Sequence, residues 1–213
     1  DWEYAKYDRW YEVNYEYTEN YLIINQVGTI ALECPLDSDG NITSVPQRQS
    51  DGWLGWDFEY TNGYLTKTTK NKDPDDYDVI STLSWDNDNL ISIERDQQSP
   101  FHDSSTITFQ YSDKLNKSEL FVGGEYSLND VYDILFLDCG RSSKNLPSQA
   151  FVQYYNQNGL TSSNKYEYDY ILDDDGYVRF LTIARTDISY NSWDDTYSDP
   201  VENIWTLEFE YTN

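Results

Sequence analysis

Trp56-Asp57-Phe58-Glu59-Tyr60-Thr61-Asn62-Gly63-Tyr64-Leu65 is the stretch on which the fold turns. Trp56, Phe58 and Tyr60 alternate with Asp57 and Glu59, the period of two of a strand buried on one face. Asn62-Gly63 then supplies the positive φ angles that a tight hairpin demands. A returning strand is expected from Tyr64 onward. The pattern recurs along the chain as an aromatic or aliphatic residue, a few turn formers, then Leu, Ile or Val. It stands at Tyr17 to Leu22, Asp37 to Ile42, Trp85 to Leu90, Tyr111 to Leu115, Tyr155 to Leu160 and Asp173 to Val178. Successive turns lie roughly 17 to 26 residues apart, with one gap of about 44 between Asp113 and Gln157, which leaves room for two strands of common length per repeat.

The flanks carry the same alternation. Tyr11, Val13, Tyr15 and Tyr17 share a face opposite Glu12, Asn14 and Glu16, and Ile107, Phe109 and Tyr111 oppose Thr106, Thr108 and Gln110. Later, Tyr166, Tyr168 and Tyr170 oppose Glu167 and Asp169, and Trp205, Leu207, Phe209 and Tyr211 oppose Thr206, Glu208 and Glu210. Two-faced strands of this kind are antiparallel. Tyr177 to Ile183 is apolar on both faces and is expected to be covered on both. From Leu128 to Leu137 the apolar spacing shifts toward a helical period, with Asn129 or Asp130 as cap and Gly140 as stop; a short helix is expected there, a buried strand being the alternative. Asn71 to Asp78, Asp96 to Ser104 and Asp187 to Pro200 read as loops. The fold class is all-β, an up-and-down meander of hairpins in a single domain, 1–213.

Composition narrows the partners. The 213 residues hold 39 Asp or Glu against 14 Lys or Arg, a formal charge of −25. Phosphate backbones and anionic lipid surfaces are sought by basic side chains, so no nucleic acid and no anionic membrane surface is expected as a partner. No apolar run approaches the roughly 20 residues of a membrane-spanning helix. Mean hydropathy is −0.79, yet the aromatic fraction of 17% sets the chain apart from acidic disordered segments. Each aromatic can bury about 150–250 Å², so tyrosines supply much of the core. Met is absent and the chain opens at Asp1, which reads as a mature or trimmed product.

Gly140-Arg141-Ser142-Ser143-Lys144-Asn145-Leu146-Pro147-Ser148, Tyr166-Glu167-Tyr168-Asp169-Tyr170 and Asp174-Asp175-Gly176-Tyr177-Val178 together resemble a family of secreted, lipid-anchored proteins of Bacteroides-type gut bacteria, a domain of unknown function with a porin-like fold. The resemblance implies a β-meander exported to the cell envelope, periplasmic or surface-exposed, and touching the membrane only through an N-terminal lipid. It brings no catalytic residues. A transmembrane barrel turns its apolar face outward and confines aromatics to two girdles, whereas here Tyr and Trp run along whole strands. The apolar face should therefore point inward. A round barrel of a dozen or more strands would enclose a lumen too wide for side chains to fill, so the expected object is a soluble β-barrel, flattened or plugged, with Leu128 to Leu137 as the candidate filler.

The chemistry legible in the residues is sparse. One His, His102, and two Cys without Cys-x-x-Cys spacing leave no zinc set, and His102 between Pro100 and Asp103 reads as a loop residue. There is no Gly-x-Ser-x-Gly elbow and no phosphate-cradling loop. Asp37-Ser38-Asp39-Gly40 and Asp173-Asp174-Asp175-Gly176 resemble fragments of calcium loops but lack the closing Glu and read first as turns. Neither a metal nor a cofactor is expected. Paired carboxylates could hydrolyse glycosides, but with 39 acids some pair falls at any separation by chance. Trp53, flanked by Gly52 and Gly55, and Trp193, in a polar loop, are the tryptophans that strand alternation explains least; they are candidate ligand-binding platforms, a core or rim position being the plainer reading. Cys34 and Cys139 each end an apolar stretch and fit either a disulfide, worth up to about 4.7 kcal/mol, or two buried thiols. The expected function is a non-enzymatic envelope protein with a binding or structural role toward a glycan or an envelope protein. A carbohydrate-binding module is the alternative and a carboxylate-dependent glycoside hydrolase the third.

Overall fold

The computed structural model describes residues 13–26, 32–45, 55–71, 78–97, 103–118, 140–191 and 196–209. Fourteen strands follow in chain order among them: Val13–Tyr17 (β1), Tyr21–Gln26 (β2), Leu32–Pro35 (β3), Ser44–Val45 (β4), Gly55–Thr61 (β5), Tyr64–Asn71 (β6), Val79–Asp86 (β7), Asn89–Gln97 (β8), Ser104–Leu115 (β9), Asn145–Asn156 (β10), Gly159–Leu172 (β11), Val178–Asn191 (β12), Thr196–Tyr197 (β13) and Val201–Glu208 (β14). All pairings are antiparallel and, β14 apart, join chain neighbours, in a small β1-β2-β3 sheet and a large one running from β4 to β12, where β13 and β14 both join β12. Among the described residues no ladder joins the two ends of this path, so the sheet is flattened rather than closed into a cylinder. Leu36 and Ile42 bridge the step from β3 to β4, and one apolar cluster runs from Leu22 and Cys34 through to Ile183.

The two faces are chemically opposite. Asp57, Glu59, Glu94, Gln110, Glu167, Asp169 and Glu208 are exposed on the outer face, where lipid contact would require each carboxylate to lose its water. On the inner face Leu83, Ile93, Ile107 and Val152 face one another in register across β7, β8, β9 and β10, all buried. Tyr166, Tyr168 and Tyr170 are buried beside them on β11, as expected of that alternation. One step along each strand the inner face turns polar. Thr68, Ser81, Arg95, Ser105, Tyr154, Ser162 and Ser189 form a single register row from β6 to β12, and Thr68, Ser81 and Ser105 in it are buried.

Three expectations are corrected. Tyr17 is 57% exposed rather than inward, because β1 ends there and the chain turns at Thr18–Asn20. The stretch from Tyr177 to Ile183 buries one face only: Val178, Leu181 and Ile183 are buried while Tyr177, in the turn, is exposed and Phe180 is half-buried. The loop expected from Asp187 is strand as far as Asn191, since β11 pairs with it up to Ser162–Ser189 and polar side chains do not end a ladder that has partners. The helix expected at Leu128 to Leu137 lies outside the described residues. Cys34 is a buried free thiol whose pKa burial raises to about 11; Cys139 lies outside the described residues.

Candidate functional site

The turns at one end of the sheet are built from two devices. Asn62-Gly63 and Asn87-Asp88 close β5–β6 and β7–β8 with both residues left-handed, φ 55° and 80°, then 50° and 64°. This backbone matches the twist of the strands it joins, and Gly, Asn and Asp tolerate it best. The Asp-rich loops use a carboxylate clamp instead. Asp37 Oδ1 accepts the N–H groups of Asp39 and Asn41, both at 2.9 Å, and Asp173 Oδ1 accepts those of Asp175 at 3.0 Å and Tyr177 at 2.8 Å. The glycines that follow, Gly40 and Gly176, have φ of 85° and 87°. These carboxylates serve their own backbones, and no group of three or more His, Cys, Asp or Glu able to hold a metal occurs among the described residues.

Across these tips runs a strap, Gly140 to Lys144, that leads into β10. Arg141 N–H donates to the Gly63 carbonyl and Lys144 N–H to that of Asp88, both at 2.8 Å, and the Lys144 carbonyl accepts from Asn116 N–H at 2.9 Å. Gly140 also bridges Tyr64. The strap is pinned into the core by Ser143, whose Oγ accepts from Leu90 N–H at 3.1 Å and meets Tyr111 Oη at 2.9 Å. Tyr111 Oη donates on to the Leu90 carbonyl at 2.7 Å; burial raises its pKa to about 12 against the lowering pull of these two contacts. Gly140 has no room for a side chain: a Cβ there would lie 2.6 Å from the Gly63 oxygen and 2.9 Å from the Tyr60 ring, at a φ of 76°.

Between the β3–β4 turn on one side and the β5–β6 turn with the strap on the other lies a cleft of about 1090 Å³, lined by Asp37, Asp39, Asn41, Asn62, Arg141 and Ser142 over Tyr60 and Tyr64. The two tyrosines serve as its floor. Tyr60 Oη donates to the Ile42 carbonyl at 2.8 Å and Tyr64 Oη to Asp88 Oδ1 at 2.5 Å, while Trp85 tilts against the Tyr64 ring at 4.7 Å. The Arg141 guanidinium lies over the Tyr64 ring, 5.3 Å from its centroid, within cation–π range. Lys67, Lys165, Arg179 and Arg185 each pair with an acid, Glu59, Glu167, Glu208 and Asp187 respectively. Arg141 pairs with none among the described residues. Asp37 is held below its ordinary pKa: burial pushes it up, but hydrogen bonds from Asn41, Asp39 and Gly40 outweigh that push. The cleft therefore brings planar guanidinium donors together with acceptors on exposed Asp39 and Asn62.

A second polar cluster sits on the inner face beyond the apolar rows. Arg185 pairs with Asp187 and lies 5.8 Å from the Tyr166 ring centroid. Buried Asn164 fits between them with its amide nitrogen 3.0 Å from Asp187 Oδ1 and its oxygen 3.3 Å from Arg185 Nη2. These groups satisfy one another. Thr68 Oγ1 in the neighbouring polar row has no hydrogen-bond partner among the described residues.

Trp53, Trp193 and His102 lie outside the described residues. Arg141 belongs to the stretch that carries the family resemblance but has no role legible in sequence, and Asp39 and Asn62 read there only as turn residues. Two solved structures share the architecture. A porin-like protein from Bacteroides uniformis ATCC 8492 is 16% identical, matches over 92% of this chain and 76% of its own, and superposes with a TM-score of 0.57. A porin-like protein from Bacteroides vulgatus ATCC 8482 is 13% identical, with 94% and 87% covered and a TM-score of 0.56. At these identities the likeness is one of fold. No protein-family model matches the chain, and no curated protein matches it.

Proposed function

We propose that this chain is a non-enzymatic binding module of the bacterial envelope, tethered there by lipid, with the cleft at its strapped end as the ligand site. The observation that carries the reading is Arg141. In a chain of charge −25 its guanidinium lies over the Tyr64 ring and forms no ion pair with an acid among the described residues. Two fixed turns and the strap wall the space it faces. Ordered, unsatisfied donors beside ordered acceptors are what a small-molecule site presents. Asp37, the cleft carboxylate fixed in place, already accepts the Asp39 and Asn41 N–H groups at Oδ1 and the Asn41 amide at Oδ2, which leaves it poorly placed to act on a glycosidic bond. That favours binding over glycoside hydrolysis. The outward acids fit a sheet bathed in water, and the porin-like neighbours of Bacteroides origin favour an envelope setting.

The test is nuclear magnetic resonance titration of the purified chain with a panel of small sugars, carboxylates, phosphate and dipeptides, with product formation followed in the same samples. Saturable shifts confined to residues 37–41, 62–64 and 140–142 without turnover are expected. Shifts elsewhere only, or turnover lost on mutating a carboxylate, would sink the proposal.

A further inference from the structure

We infer that the cleft takes a neutral saccharide, held by paired hydroxyls between the Arg141 fork and the Asp39 carboxylate; this rests on the cleft being the binding site. Its lining eliminates the other ligand classes in turn. A cation would meet the Arg141 guanidinium, and the Asp37 carboxylate that could hold it already accepts two backbone N–H groups and the Asn41 amide. An anion would find its donor at Arg141, but also Asp37 and Asp39 on the opposite wall and the field of a chain carrying −25. An apolar ligand would need bare ring faces. Tyr64 is instead covered by Arg141 and contacted by Trp85, and Gly140 packs close against the edge of the Tyr60 ring.

What remains is an uncharged ligand rich in groups that donate and accept at once. Adjacent hydroxyls fit best. The guanidinium presents parallel N–H donors in a rigid fork and so engages two neighbouring oxygens, while the same hydroxyls donate to Asp39 across the cleft and to the Asn62 side-chain oxygen beside Arg141. A peptide would also offer donors and acceptors, but it needs pockets for its side chains, and this lining is polar turn and strap. At about 1090 Å³ the space lies at the upper end of small-molecule sites, about 300–1,000 Å³, so more than one sugar ring fits. Without a bare aromatic platform the affinity should be weak, on the order of 1 mM.

The experiment titrates ¹⁵N-labelled protein with cellobiose, maltose and lactose, and in parallel with galacturonate, inorganic phosphate and glycylglycine. At least one neutral disaccharide should shift residues 39–41, 62–64 and 140–142 saturably. Arg141→Ala should weaken that binding about tenfold or more, and Asp39→Asn, on an exposed turn, severalfold, each with the thermal midpoint unchanged; Arg141→Lys should fall between. Cleft shifts with phosphate, galacturonate or the dipeptide but with no neutral sugar would overturn the saccharide assignment and leave the cleft as a site. Cleft shifts with none of the probes would overturn both. Sugar binding that survives Arg141→Ala and Asp39→Asn intact would overturn the roles given to those residues.

Discussion

Replacing Gly140 by alanine separates two costs that glycine avoids, and Gly40 supplies the control. Both residues are left-handed, φ 76° and 85°, but a Cβ at Gly40 would meet nothing within 4 Å among the described residues. Gly40→Ala should therefore cost only the conformational penalty, about 1–2 kcal/mol. Gly140→Ala bears the same penalty plus an overlap with backbone at 2.6 Å and with the Tyr60 ring at 2.9 Å. Neither neighbour gives easily: the Gly63 carbonyl is bonded to Arg141 N–H at 2.8 Å, and the Tyr60 ring is tied through its hydroxyl to Ile42. Relief means overpacking strain of about 1–3 kcal/mol or loss of the strap's hydrogen bond, about 0.5–1.5 kcal/mol. Gly140→Ala should thus be less stable than Gly40→Ala by about 2 kcal/mol. With urea slopes of about 1–3 kcal/mol/M, that separates the two midpoints by about 1 M. Coincident urea midpoints would refute the reasoning, because they would mean that the strap does not press on the β5–β6 tip.

Ser143→Ala strands the buried Leu90 N–H and should cost about 1–3 kcal/mol. A double-mutant cycle with Tyr111→Phe should return a coupling of about 0.5 kcal/mol or more, whereas strict additivity would deny that the two hydroxyls share a network. Thr68→Val removes a buried hydroxyl that has no partner among the described residues and should leave the urea midpoint unchanged or raise it; a loss above about 1 kcal/mol would mean that the hydroxyl is satisfied after all. Raising pH should unfold the protein cooperatively above about pH 10. Burial raises Tyr111 to about 12, and Tyr168 and Tyr170 are pushed further the same way, by burial first and by neighbouring tyrosines second. Their stabilisation is whole below the unfolded tyrosine pKa near 10 and is lost as pH climbs toward the folded values, at up to about 1.4 kcal/mol per pH unit for each. Phenolate absorbance that rises gradually, without a loss of β-sheet circular dichroism, would contradict this.

What could be read in advance divides along a physical line. Asn62-Gly63 and the Asp-Gly turns announce themselves because each is a local device, complete within a few residues. Tyr166, Tyr168 and Tyr170 announce their face because period two is a property of one strand. The strap is illegible for the opposite reason: Arg141 and Lys144 have no period of their own, and their partners Gly63 and Asp88 lie far back in the chain. The inner polar row hides for another reason. Ser81 and Ser105 share the inward parity of Leu83 and Ile107, but a single serine on one strand carries no signal of its neighbours, so only the register across strands reveals the row. Asp187 to Asn191 reads as loop by composition, and its pairing with β11 overrides composition. Arg141 is meaningful only beside the Tyr64 ring, a juxtaposition no linear spacing encodes.

The strap also bears on time. Each hairpin of the meander can zip from its own turn, at small loop-closure cost, and such local contacts form early and fast. The contacts of Arg141 with Gly63 and of Lys144 with Asp88 can form only once those tips exist, and we expect them after the rate-limiting step of folding. Interactions made that late leave the folding rate almost untouched and slow unfolding instead. A stretch of five residues, Gly140 to Lys144, thus governs how long the sheet survives once folded, while its turns govern how quickly it gets there.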